Sequence, residues 1–267
     1  MPAYKVYKQK GKKSDFNDLV KACNDADIVL FGELHNSSIA HWLQLELTKA
    51  LHEKKGDKLV LGAEMFEADN QLLIDEYLSG AISEKSFERE ARLWPNYSTD
   101  YKPLMSIAQE QKLRFIATNI PRRYASKVAK EGLSSLDGLS SEAKSYIAPL
   151  PVEVDSTLPG YNALLSMGMG PHGSGENFMN AQAIKDATMA HFISENLGKN
   201  QTFMHYNGAY HSNNFEGISW YLKNKNPNLK IVTISCVTLA DINKLDDESK
   251  DLANFIISID EDVTTTY

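Results

Sequence analysis

Cysteine is almost missing from this chain. Cys23 and Cys236 are its only two in 267 residues, which excludes a disulfide framework and a cysteine-based zinc module. The pair reads as two buried free thiols. Long apolar runs are missing as well: none approaches the ~18 residues that span a bilayer as a helix. Met1–Lys13 is polar and basic without an apolar h-region, so no signal segment is expected within it. A basic surplus is also missing. Lys and Arg number 28 against 35 Asp and Glu, a net charge of −7, which argues against a dedicated nucleic-acid surface. Compact zinc spacings such as His-Glu-x-x-His are not found either.

What is present is a rhythm of short, nearly continuous apolar runs. Residues 27–33, 58–65, 113–119, 201–208 and 230–236 are β-rich and apolar, and Phe255–Ile259 adds a sixth. Such runs read as strands covered on both faces, the habit of parallel sheets. Helical stretches lie between them. After the first run, Asn36, Ser37 and Ser38 offer N-caps, Ile39, Trp42, Leu43, Leu47, Ala50 and Leu51 recur at helical spacing, and Gly56 stops the pattern. Strand, helix, strand in that order predicts an α/β fold: an open, mostly parallel sheet flanked by helices. The stretch after Pro121 breaks the rhythm. It carries Pro149, Pro151, Pro159 and Pro171 and the run Met167-Gly-Met-Gly-Pro-His-Gly-Ser-Gly175, and reads as a small helical insertion followed by a flexible loop. The domain expectation is therefore 14–120 plus 180–267 for the α/β domain, with 121–179 inserted.

Ligands of open parallel sheets bind beyond the carboxyl ends of the strands. The first run delivers Glu33 and His35 there, two residues apart and so on one side of an extended backbone. The second delivers Glu64 and then Glu67; the fourth delivers His205, Asn207 and, after Gly208, His211. Two Gly-x-x-His tetrads, 32–35 and 208–211, thus end two buried strands. A collection of Glu and His at one edge can bind a divalent metal or perform general acid–base work. Asn119-Ile-Pro-Arg122-Arg123 follows the third run, and two arginines at a helix N-terminus oppose its dipole, which calls for an anionic partner. Glu33, Glu64 or a ligand carboxylate would serve. Gln182, Lys185, Asp186 and Met189 share one helical face, the arrangement of a solvated stripe. Tyr146, Tyr161, Met167, Met169 and His172 gather in the insertion, where Tyr, Met and His are all haem-iron ligand types. His41, His52 and His191 read as structural.

Together these motifs resemble the ChaN-like haem-binding uptake family, part of a superfamily that includes Tiki, TraB and the erythromycin esterases. The resemblance rests on Gly32-Glu-Leu-His35, Ala63-Glu-Met-Phe66, Asn119-Ile-Pro-Arg122, Gln182-Ala-Ile-Lys-Asp186-Ala-Thr-Met-Ala190 and His205-Tyr-Asn-Gly208-Ala-Tyr-His211, in order along the chain. Lys185 stands where the family pattern usually has Arg. The resemblance implies an α/β domain with a small helical subdomain. It also implies a bacterial, iron-regulated lipoprotein at the cell envelope, anchored by lipid outside these residues, with haem held at a homodimer interface through a tyrosine. Tyr146 and Tyr161 are the candidate ligands, with Met169, His172 and Arg122 as further haem contacts. Paired Gly-x-x-His motifs also occur in hydrolases of the superfamily, with a metal in the Tiki proteases. Carried over, that makes Glu33, His35, Glu64 and His211 a catalytic or metal set, and the alternative function a metal-assisted hydrolase.

Overall fold

The structure is a computed structural model that describes residues 2–167 and 174–267. Two short strands that the sequence did not announce open it, β1 (Tyr4–Lys8) and β2 (Lys13–Ser14). The six apolar runs follow as β3 (Ile28–Glu33), β4 (Leu59–Glu67), β5 (Arg114–Asn119), β6 (Thr202–Gly208), β7 (Ile231–Leu239) and β8 (Phe255–Asp260). Among the described residues they form one sheet of eight strands in the order β2-β1-β8-β7-β3-β6-β4-β5. All pairings from β8 to β5 are parallel, and only β1 runs antiparallel to its neighbours.

Both faces are covered, as the continuous apolar runs require. Along β3, Val29 and Phe31 join the core packed by α1 (Phe16–Asn24), α2 (Ser38–Lys55), α3 (Gln71–Leu78), α4 (Glu84–Glu90) and α5 (Lys102–Glu110). The alternate residues Ile28 and Leu30 pack on the opposite face instead. There α6 (Arg122–Glu131), α7 (Ser141–Lys144) and α8 (Pro159–Met167) precede the long α9 (Gly175–Asn196) and α10 (Ile218–Lys225). Met189, Ile193, Ile218 and Leu222 of α9 and α10 cover the sheet. Ile120, Val128, Leu136, Ile147 and Ile184 form a satellite core that ties the 121–148 stretch to α9.

Local signals set the helix starts that matter. Ser37 accepts a hydrogen bond from Ala40 N at 3.3 Å and begins α2, so the chain turns sharply right after His35. A single π turn over Tyr97–Tyr101 carries Asp100 and Tyr101 into the interior beneath that turn.

Candidate functional site

Sheet order explains how the two tetrads meet. The chain leaves β3 for β4 and β5, then returns to insert β6 between β3 and β4. Register places Gly32 opposite Asn207 and Glu33 opposite Gly208, while Gly62 lies opposite His205 and Ala63 opposite Tyr206. Glu33, Glu64 and Gly208 therefore surface side by side at the carboxyl edge, where a parallel sheet binds ligands.

The two tetrad glycines are crowded differently, Gly32 by backbone and Gly208 by a side chain. A Cβ on Gly32 would lie 2.7 Å from the Ile234 carbonyl oxygen and 2.9 Å from Ala209 Cα, both backbone atoms. A Cβ on Gly208 would lie 2.7 Å from His35 Cε1 and 2.8 Å from His35 Nε2, atoms of a side chain that can swing away. Gly32→Ala is therefore expected to cost about 1–3 kcal/mol of stability as backbone strands are forced apart. Gly208→Ala is expected to cost less stability and to displace the His35 ring. Urea unfolding and the NMR titration of His35 check the pair; equal stability losses with an unmoved His35 resonance would contradict it.

Glu33 is buried and accepts three hydrogen bonds. Its Oε1 accepts from the Tyr101 hydroxyl at 2.7 Å and from His35 Nδ1 at 2.9 Å, and Oε2 accepts from Gln44 Nε2 at 2.5 Å. His41 packs behind, with Nδ1 3.1 Å from Gln44 Oε1 and Nε2 3.0 Å from the His35 carbonyl oxygen. Asn96 donates to that same carbonyl at 3.0 Å and to Asp100 at 2.7 Å. Burial opposes charge on the His35 ring, but the Glu33 hydrogen bond and the Glu64 charge outweigh it and raise its pKa above the ordinary histidine value. With Nδ1 tied to Glu33, Nε2 is the nitrogen left for the cleft, into which His35 is 37% exposed.

The second tetrad builds a different arrangement. Glu64 Oε2 accepts from Gly208 N at 2.7 Å, and its Oε1 lies 3.1 Å from His211 Nε2. The other ring nitrogen, Nδ1, lies 2.5 Å from Asp186 Oδ1, and the Tyr161 hydroxyl donates to Asp186 Oδ2 at 2.7 Å. Burial disfavours charge on His211, yet the flanking Glu64 and Asp186 carboxylates dominate and push its pKa up to about 10. Burial likewise penalises the Glu64 anion, but the His211 charge and the Gly208 N–H hold its carboxyl well below the usual range. Asp186 is raised, because its burial exceeds what His211 and Tyr161 return. His211 thus sits between two buried carboxylates, Glu64 and Asp186, both of which favour its protonated form. Neighbouring His205 is buried without an acid partner and falls to about 4, a neutral ring beside Thr118 and Asn207.

These groups open onto a cleft of about 1050 Å³, ample for a small organic ligand. Glu33, His35, Glu64 and His211 all line it, together with Arg122, Gln182 and Lys185. The other sequence candidates lie elsewhere. Tyr161 is buried and committed to Asp186; Tyr146 is half-buried on the insertion, outside the cleft lining. Met169 and His172 lie outside the described residues.

Of the four residues read as a possible metal set, Glu33 accepts three hydrogen bonds and both His211 nitrogens face carboxylates, while His35 Nε2 is open to the cleft. Among the described residues no three His, Cys, Asp or Glu side chains are disposed to hold a metal ion. Two expectations need correcting. The polar stripe of α9 is not its wet side, since Asp186 is buried and Gln182 and Lys185 face the cleft. The expected partner of the two arginines is neither Glu33 nor Glu64: Arg123 pairs with Asp69 at 2.6 Å. Sequence reasoning missed Gln44, Asp100 and Tyr101 altogether and read His41 only as packing. Asp186 did carry a signal, because Ala183, Ile184, Ala187, Thr188 and Met189 make that helix apolar nearly all round, and an acid on such a helix must find a partner.

A family profile described as haem-binding uptake, Tiki superfamily, ChaN matches residues 19–222. The chain belongs to the ChaN family. That match takes in both tetrads, the Glu64 strand end and residues 121–179. Among solved structures, ChaN of Campylobacter jejuni, described by its cofacial haem binding, superposes with a TM-score of 0.69 at 17% identity, covering 95% of this chain and 96% of that one. A Bacillus cereus protein superposes with a TM-score of 0.55 at 12% identity, covering 95% of each. These likenesses extend the ChaN fold over nearly the full chain. A curated Arabidopsis thaliana relative, Protein RETICULATA-RELATED 5, chloroplastic, is 25% identical over 162 residues, or 57% of this chain, which spans 22% of that protein's length.

Proposed function

We propose that this member of the ChaN family is an iron-regulated haem-uptake lipoprotein of the cell envelope. It carries haem at a homodimer contact formed by the 121–179 insertion, and a lipid anchor outside the described residues holds it to the membrane. The observation that carries the reading is the family match over 19–222, which includes the insertion as well as the sheet edge. Iron supplies the reason for a tyrosine ligand, because a phenolate oxygen suits ferric haem. Tyr146 is the favoured ligand: it is half-buried and makes no side-chain hydrogen bond among the described residues, whereas Tyr161 is spent on Asp186. Titration of the purified protein with hemin is expected to give a shifted Soret band that saturates. Tyr146→Phe is expected to lose the tyrosinate signature, and the loaded protein is expected to run as a dimer. A Soret band that never departs from that of free hemin overturns the reading.

A second reading rests on one observation, the His35 ring held by a buried carboxylate with Nε2 open to the cleft. In it the cleft hydrolyses an ester or amide. His35 Nε2 removes a proton from a water whose oxygen attacks the carbonyl carbon, and then returns that proton to the leaving alcohol or amine. Ester and amide panels run between pH 5 and 9 test it: saturable turnover supports it, and uniform inactivity overturns it.

A further inference from the structure

Charge matching around the cleft leaves two cations over. Every acidic side chain on or beside its wall has a partner: Glu33 has Tyr101, His35 and Gln44, and Glu64 has His211 and the Gly208 N–H. Glu67 pairs with Arg92 at 2.9 Å, Asp69 with Arg92 and Arg123, and Asp186 with His211 and Tyr161. Arg122 and Lys185 line the same cleft and form no ion pair among the described residues. Arg122 opens α6, where the helix dipole makes a cation unfavourable and an anion welcome. Lys185 is half-buried on α9, one residue from Asp186, yet Asp186 is turned to His211 instead. Arg122 and Lys185 therefore present unmatched positive charge to one concavity.

We propose that Arg122 and Lys185 form an oxyanion-recognition subsite of the sheet-edge cleft, which binds the carboxylate or phosphate of a small organic anion. Arg122 offers a planar fork and Lys185 a point charge, the two donor types that bind carboxylate and phosphate oxygens. The protein's overall negative field works against extended polyanions, whereas a small anion feels chiefly the local pair. Such a ligand would lie in the same cleft as His35 and His211. The subsite gives Arg122, which the family resemblance offers as a haem contact, a role as anion donor that needs neither haem nor turnover at His35.

The test uses the full chain in Tris-chloride at low ionic strength, with inorganic phosphate and succinate as probes and neutral succinamide as control, read by titration calorimetry and thermal unfolding. Saturable binding of phosphate, succinate or both is expected, with none of succinamide; whichever anion binds names the ligand chemistry. Arg122→Gln and Lys185→Gln are each expected to weaken binding about tenfold, and the double variant to lose it. The exposed control Lys199→Gln is expected to bind as the unaltered chain does, and the affinity of the unaltered chain should fall as salt is added. No saturable binding of either anion overturns the proposal. Undiminished binding in the double variant, or an equal loss in Lys199→Gln, also overturns it. None of these readouts depends on a Soret band or on hydrolysis, so failure here is separable from failure of either functional reading.

Discussion

Replacing His211 with alanine is expected to destabilise the protein by about 3–5 kcal/mol at pH 7, the cost of breaking a buried ion pair from one side. Glu64 and Asp186 would be stranded within a few ångströms of each other with no cation between them, and only the Gly208 N–H and the Tyr161 hydroxyl would remain to them. Urea unfolding measures the loss, and a change below about 1 kcal/mol would contradict the assignment of charge. Adding Glu64→Gln to the variant is expected to restore part of the loss, since one stranded carboxylate disappears. The same pair fixes a pH dependence. The folded-state pKa of His211 sits near 10, above its ordinary value near 6.5. Its stabilisation is therefore complete below about pH 6.5, declines as pH rises from there, and is gone above about 10. The melting temperature of the unaltered protein should fall over that window, and the gap between it and the variant should close.

In the hydrolytic reading, His35→Ala is expected to lower kcat by roughly 10²–10⁴, the usual worth of a positioned base. It should leave hemin binding unchanged, because haem is assigned to the insertion. The pH profile carries an independent signature. A base must be neutral, and Glu33 and Glu64 raise the His35 pKa above its ordinary value, so activity should climb with pH through a limb lying above about 6.5. Glu33→Gln removes the carboxylate that raises it and should move that limb to lower pH. An unmoved limb, or unchanged turnover in His35→Ala, would place the chemistry on another group.

The sequence made the strands legible because a strand covered on both faces must be apolar at nearly every position, as Val29, Leu30 and Phe31 are. β1 escaped notice because its buried pair, Val6 and Tyr7, is too short an apolar run between Lys5 and Lys8 to read as a covered strand. The tetrads were visible for a comparable reason: glycine was imposed at 32 and 208 by what presses against them. Sheet order was not visible. Nothing in the composition of residues 202–208 says that they enter between two strands formed far earlier, and without that step the tetrads are merely similar. The support behind Glu33 was hidden too. Gln44 and His41 lie on a helix that reads as amphipathic, and Tyr101 and Asp100 arrive through an irregular turn with no periodic signature. Counting Glu and His suggested metal ligands; only the hydrogen bonds reveal that Glu33 and His211 are already engaged while His35 Nε2 is not.

The late insertion of β6 also governs when this site can come into being. A growing chain that has delivered Glu33, His35 and Glu64 still holds β3 and β4 two positions apart, with their facing backbone groups unpaired until residues 202–208 emerge. Long-range parallel pairing of this kind is slow to form, and open strand edges invite association with other chains. The first three quarters of the polypeptide thus contain one complete tetrad and no site, and depend on what is translated next to close a gap in their own centre. Synthesis that stalls ahead of β6 would release a sticky intermediate, and chaperones are most needed in that interval.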